Sequence, residues 1–263
     1  MSRKRKRLKI WIAWSIVLSC LLGCVARKAS PYPADTTVPD PYSFYKKIQE
    51  RCQSIRSLKG LADVHIKQEG KTLRVEEIVV LQKPGSLRLE TVDFWGQTIF
   101  VWIVHRGEWL AFSVPDNLFL KGQSAIDKIR EFIGFAWDPE IMVRFLEGDP
   151  FYLGIQQPTV HISRDEGYFL LDVEDKNAQI RYLVWVGEGD LPVRSLLVAA
   201  PADSQYTEGI QVDYDNYKTI NGVVLPFAFV AAGPHQESVL TVEYRSLLLN
   251  SSLEDTVFDF QPP

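Results

Sequence analysis

GLADVHIKQEGK, residues 60–71, is the stretch whose reading decides the fold. Ala62, Val64 and Ile66 alternate with Asp63, His65 and Lys67, a period of two that sets the apolar side chains on one face of a strand. Glu69-Gly70-Lys71 then turns the chain. The rhythm continues through 72–82, 86–92, 97–104 and 108–113 with short turns between, the pattern of an antiparallel meander. In QTIFVWIV (97–104), Ile99, Val101 and Ile103 face one way and Phe100, Trp102 and Val104 the other. Both faces are apolar, so this strand is covered on both sides. Residues 114–121, with Pro115, Asp116 and Asn117, break the meander ahead of Gly122.

Two short helices follow. Ser124 with Asp127 three residues later resembles a capping box, and Ile126, Ile129 and Ile133 form an apolar stripe that stops at Gly134. Asp138-Pro139-Glu140 opens the second as cap, first-turn proline and dipole-favoured acid, with Ile141, Phe145 and Leu146 apolar and Gly148 at its end. Strands then resume near 158–164, 167–174, 179–187, 191–200, 207–218, 222–231 and 236–248. Asn221-Gly222 is the strongest hairpin mark among the turns between them. Upstream of the first strand, Asp40-Pro41 reads as a helix cap, and Tyr45, Ile48, Cys52 and Ile55 follow at helical spacing. The expected fold is mainly β: a half-open antiparallel barrel of about eleven strands, its open side closed by the helices.

The N-terminus carries a different signal. Arg3, Lys4, Arg5, Lys6, Arg7 and Lys9 precede an apolar run from Ile10 to Leu22, too short to span a hydrocarbon core as a helix. A basic flank, a short apolar region and a small residue at the cut make a secretory signal. Leu21-Leu22-Gly23-Cys24 resembles the lipobox of bacterial lipoproteins, in which the Cys thiol is diacylated and the preceding segment removed. The other reading is an uncleaved anchor or a chance Cys. Residues 1–23 are thus read as a lipoprotein signal peptide, 24–40 as the lipidated Cys and a Pro-containing flexible tether, and 41–263 as one β domain.

Charge and chemistry narrow the function classes. Removing residues 1–23 takes six of the 29 basic residues and none of the 33 acidic ones, which leaves a formal charge of −10. Nucleic-acid binding needs a basic footprint and is not expected. Cys52 is left alone in the body, read as a buried small hydrophobe with no disulfide to form. His65, His105, His161 and His235 are isolated, each read as an outward-facing strand residue, and no metal site or cofactor is expected. Ser43 and Lys46 match a β-lactamase spacing without its companion motifs and read as helix residues. Asp172, Asp175 and Asn177 lack the glycine and distal Glu of a calcium loop and read as a turn. No nucleophile or acid–base pair can be named, so an enzyme is not expected and no catalytic residue is assigned. What stands out is Phe94-Trp95-Gly96, placed in a tight turn where Asp, Asn or Gly is usual. Either the turn folds back on the body or it projects an apolar tip to lipid or a partner.

The order of segments resembles the LolA/LolB superfamily of periplasmic lipoprotein-sorting proteins over about residues 44–263. The resemblance rests on the N-terminal helix, LKGLADVHI, the run Lys83-Pro84-Gly85-Ser86-Leu87-Arg88-Leu89-Glu90, and the hairpin at Phe94-Trp95-Gly96. It continues through EGDP (147–150), DYDNYKTINGVVLPFAF (213–229) and the terminal VFDFQPP (257–263). It implies a half-open barrel with an apolar cavity for lipoprotein acyl chains, for which the candidate lining is Val101, Ile103, Ile126, Ile129, Phe132 and Phe145. It also implies an outer-membrane receptor anchored through Cys24, supplied by a LolA-like carrier, with a projecting apolar residue for insertion at Trp95. The alternative is a structural or regulatory lipoprotein that binds a protein partner or lipid through the same fold without transfer.

Overall fold

The computed structural model describes residues 29–133, 139–200, 209–234 and 238–259. The signal segment, Cys24 and the first tether residues lie outside them, as do Gly134, Asp138, His235 and residues 260–263. Helix α1 (Pro41–Gln53) begins as expected: Asp40 Oδ2 accepts the Ser43 N–H at 2.8 Å, and Phe44, Tyr45, Ile48 and Cys52 are buried. A meander follows, of β1 (Ser57–Gln68), β2 (Lys71–Gln82), β3 (Ser86–Val92), β4 (Thr98–His105), β5 (Glu108–Ser113) and β6 (Leu118–Lys121). Helices α2 (Gln123–Ile133) and α3 (Pro139–Leu146) come next. A second meander completes the chain: β7 (Thr159–Asp165), β8 (Tyr168–Asp175), β9 (Ile180–Gly187), β10 (Leu191–Ala199), β11 (Gln211–Ile220), β12 (Val223–Ala232) and β13 (Ser238–Leu249).

All 13 strands form one antiparallel sheet in the order β6-β5-β4-β3-β2-β1-β13-β12-β11-β10-β9-β8-β7. Every neighbour is sequential except β1 and β13, which pair from Leu58↔Leu249 to Gln68↔Ser238. The sheet is therefore open between β6 and β7, and the chain passes from one edge to the other through α2 and α3. That is a half-open barrel with helices in the connection across its gap. Ile129, Ile133, Ile141, Met142, Phe145 and Leu146 from those helices join the same buried cluster as Val64, Trp102 and Val242 from the strands. Burial of that apolar area, at ~25 cal/mol per Å², holds the helices on the concave side.

Three local expectations change. The strand count exceeds the expected eleven or so in part because β6, four residues long, pairs with β5 at Leu110↔Lys121 to Ser113↔Leu118, inside the segment read as a break. Only Val114–Asn117 forms the turn, closed by Ser113 Oγ donating to Asp116 Oδ2 at 2.7 Å. The capping box at α2 does not form: the helix starts at Gln123, whose amide donates to Asp127 Oδ1 at 2.7 Å.

The third concerns the tether, which is docked from Ala29 to Thr36. Ala29 is buried, the Glu188 N–H donates to the Ser30 carbonyl at 2.7 Å, and the Tyr32 N–H to the Gly167 carbonyl at 2.9 Å. Tyr32 Oη donates to Asp190 Oδ1 at 2.7 Å, and Arg164 holds the Thr36 carbonyl. Gly187 makes the room, since a Cβ there would stand 2.7 Å from the Ser30 carbonyl oxygen. The register puts this strap at the sheet end holding the β7–β8 and β9–β10 turns. The β1–β2 and β3–β4 turns lie at the opposite end.

Candidate functional site

Inside the sheet, a small apolar cavity of about 50 Å³ lies between the strands and helices α2 and α3. Val64, Leu89, Trp102 and Val242 line it from the strands, and Ile129, Phe132, Met142 and Phe145 from the helices. An open groove of about 600 Å³ adjoins it, lined by Gln68, Glu69, Lys71, Leu73, Phe100 and Lys128 among others. Ile66, Trp102 and Phe132 border both spaces. The Phe132 ring, 6.1 Å from that of Trp102, stands at the junction. The groove opens beside the β1–β2 turn.

The six lining candidates divide. Ile129, Phe132 and Phe145 line the cavity. Ile126 packs half-buried against the main core and is not part of the lining. Val101 and Ile103 are on the other face of β4, where they form a separate cluster with Val80 and Phe258. The choice between the faces of β4 was therefore wrong for these two, because both are apolar and the alternation does not say which turns inward. Trp102 is the inward residue, and the outward face is covered by the segment after β13, whose short helical turn at Asp255–Phe258 brings Phe258 against it.

One lining residue went unremarked in the sequence. Glu77 is only 5% exposed, and its Oε1 accepts from Thr91 Oγ1 at 2.5 Å across the β2–β3 pair. Its Oε2 has no hydrogen-bond partner. Burial pushes the carboxyl up to about 8, against the pull of the Thr91 hydrogen bond and with a smaller push from the charge of Glu90. The signal was present: Glu77 occupies the inward register between Val75 and Val79, where the alternation calls for an apolar residue.

The β3–β4 turn projects. Phe94 is 93% and Trp95 79% exposed, with their rings edge-on at 5.3 Å. The backbone beneath is well held: Asp93 Oδ1 accepts the Trp95 and Gln97 N–H groups, each at 2.8 Å, and the Gly96 N–H reaches the Asp93 carbonyl at 2.9 Å. Gly96 has φ +77°, which excludes most other residues from that position. A rigid turn thus presents two aromatic rings to solvent, at the sheet end where the groove opens.

The remaining reactive groups are accounted for structurally. Burial pushes the Cys52 thiol up to about 12, so it is inert near neutral pH. Asp175 accepts the backbone N–H groups of Gln156, Gln157, Asn177 and Ala178, the arrangement of a turn. His105 meets Ser86 Oγ at 2.8 Å and stacks on Phe258, so it is not an outward-facing residue; His65 is half-buried and His161 exposed. Among the described residues no group of three or more His, Cys, Asp or Glu is arranged to hold a metal ion. Nor is any described helix long and apolar enough to cross a membrane.

No protein-family model matches the sequence, and no curated protein matches it. Solved structures do share the fold. A Vibrio parahaemolyticus domain assigned to outer membrane lipoprotein sorting superposes with a TM-score of 0.56 at 11% identity, covering 83% of this chain and 96% of that one. A LolA superfamily protein from Nitrosomonas europaea gives 0.56 at 12% identity, over 82% and 97% of the two chains. A DUF1329 family protein from Desulfovibrio piger gives 0.55 at 13%, over 84% and 98%. At these identities the likeness establishes the fold alone: the chain shares the open, helix-bridged antiparallel sheet of these structures.

Proposed function

We propose that the protein is a lipid-anchored protein of the outer membrane, its body in the periplasm. On this reading it accepts lipoprotein acyl chains from a LolA-like carrier and inserts them into that membrane. One juxtaposition supports it: the apolar cavity, the groove beside it and the exposed Phe94-Trp95 turn lie at the same end of the sheet. A chain leaving the groove there would meet the aromatic tip on its way out. The lipoprotein-sorting description of the Vibrio relative points the same way.

The size of the cavity favours a second reading. Ligand pockets usually enclose ~300–1,000 Å³, and about 50 Å³ is far too little for an acyl chain with Phe132 where it stands. A self-filled core suits a structural or regulatory lipoprotein that binds a protein partner and transfers nothing. Uptake of a fluorescent fatty acid decides between the two. Every described core residue lies between Ala29 and Phe258, so the chain from residue 25 onward carries the fold and serves for the assay. Binding at micromolar protein, reversed by a competing lipopeptide, supports transfer. Absence of uptake leaves only the second reading.

Phe132→Ala sharpens that assay by joining cavity and groove. Two more methylenes of guest chain inside, at ~0.8 kcal/mol each, correspond to about tenfold tighter binding. Unchanged affinity would mean that the chain does not pass this residue. Lipidation is tested separately. Cys24→Ala is expected to abolish incorporation of labelled palmitate, and equal labelling of variant and wild type would remove the anchor from the proposal.

A further inference from the structure

Glu77 is the one described carboxyl that lines the apolar cavity, where its Oε1 serves the buried Thr91 hydroxyl and its Oε2 serves no described group. Val64, Leu89, Ile129, Phe132, Phe145 and Val242 surround the cavity it borders with hydrocarbon. Thr91 satisfies Oε1, and Oε2 is left without a partner. A buried polar atom in that state forfeits its hydrogen bonds to water, so it is favoured only where something else completes it. We propose that Glu77 is the polar recognition residue of the cavity, its Oε2–H donating to the carbonyl oxygen of an ester-linked acyl chain.

The protonation state selects the ligand chemistry. With its carboxyl pushed up to about 8, Glu77 is neutral at pH 7 and presents one O–H donor beside an acceptor already used by Thr91. Only an acceptor can satisfy that donor, and the ester carbonyl is the acceptor that enters with an acyl chain. The neighbours facing Glu77 from β1, β3, β13, α2 and α3 at the cavity are apolar apart from Thr91. The charged group acting on it is Glu90 of β3, whose carboxylate is held by Arg88 and Thr98. No described cation lines the cavity itself, Lys71 and Lys128 lying in the adjoining groove, so at Glu77 a neutral ester carbonyl fits better than a carboxylate.

This inference rests on the acyl-binding reading above, and its test separates the two. The chain from residue 25 onward is loaded with the fluorescent probe N-phenylnaphthylamine. Displacement is measured with monopalmitoylglycerol, with its ether analogue hexadecylglycerol, and with palmitic acid. The ester is expected to displace the probe at about tenfold lower concentration than the ether, which has the same chain and head but no carbonyl. Glu77→Leu should bind both equally. Glu77→Gln, which keeps an N–H donor, should retain the preference at every pH, whereas the wild type loses it as pH rises past about 8. Palmitic acid outcompeting the ester at low pH would assign the carbonyl to a free fatty acid. Equal displacement by ester and ether in the wild type, or a preference surviving in a folded Glu77→Leu, overturns the role of Glu77 and leaves acyl binding intact. No displacement by any of the three overturns both.

Discussion

Trp95→Glu is expected to cut delivery of acyl chains into liposomes by at least about tenfold while leaving the fold untouched. The indole lies 79% exposed on a turn whose backbone is fixed by Asp93, so the side chain holds nothing together. Its loss should change stability by less than ~1 kcal/mol. What it offers is interfacial: an apolar ring with an N–H that stays wet suits the headgroup level of a bilayer, and a carboxylate there does not. Phe94 beside it doubles the apolar contact, and a body of formal charge −10 after removal of residues 1–23 is repelled elsewhere by anionic lipid. Protein, carrier-bound lipoprotein and liposomes are mixed, and transferred cargo is counted. Unchanged transfer by a folded variant would mean that the tip serves some other contact.

How much of this the sequence discloses depends on which physical signal carries each feature. Strand alternation is local, so Ala62-Val64-Ile66 and the turn at Asn221-Gly222 announce their elements, and the positive φ of both turn residues bears out the hairpin. The β1–β13 pairing that joins the two meanders spans 170 to 191 residues and leaves no local mark; the family resemblance implies a half-open barrel but not this pairing. Strand β6 escaped because four residues between a Pro-containing turn and a glycine are too few to show a period. The strap escaped for the opposite reason. Its prolines and small residues read as a free linker, while its docking depends on Gly167 and Gly187, distant glycines that give no sign of what they make room for. At the site, α2 and α3 yielded Ile129, Phe132 and Phe145 because a helical stripe has one apolar face. β4 has two, and Val101 and Ile103 went to the wrong one. Glu77 was legible as an acid in an apolar register, but the pattern alone does not separate a buried carboxyl from a shifted strand.

That acid also sets the second large effect, a stability that falls with pH and is cured by Glu77→Gln. In the folded chain burial raises the carboxyl from 4.5 to about 8. Below the lower value, folded and unfolded states both keep the proton, and the group adds no pH dependence. Between the two values the unfolded chain releases the proton and the folded chain retains it. Fewer protons on the unfolded state make stability fall as pH rises, by about 1.4 kcal/mol per pH unit. Above about 8 both states are ionised and the loss levels off. Gln fills the same space, keeps an oxygen for the Thr91 hydroxyl and has no proton to lose. The variant should therefore match the wild type near the lower value and exceed it progressively towards the upper one. Glu147, pushed up to about 7 by burial against the pull of Lys83 Nζ at 2.7 Å, contributes a slope of the same sign. It is common to both proteins and cancels in the difference. Urea midpoints for the pair, taken at several values between about pH 5 and pH 8, measure that difference directly. Parallel curves would mean that Glu77 is ionised in the folded protein, and the donor that its proposed carbonyl contact needs would be gone with it.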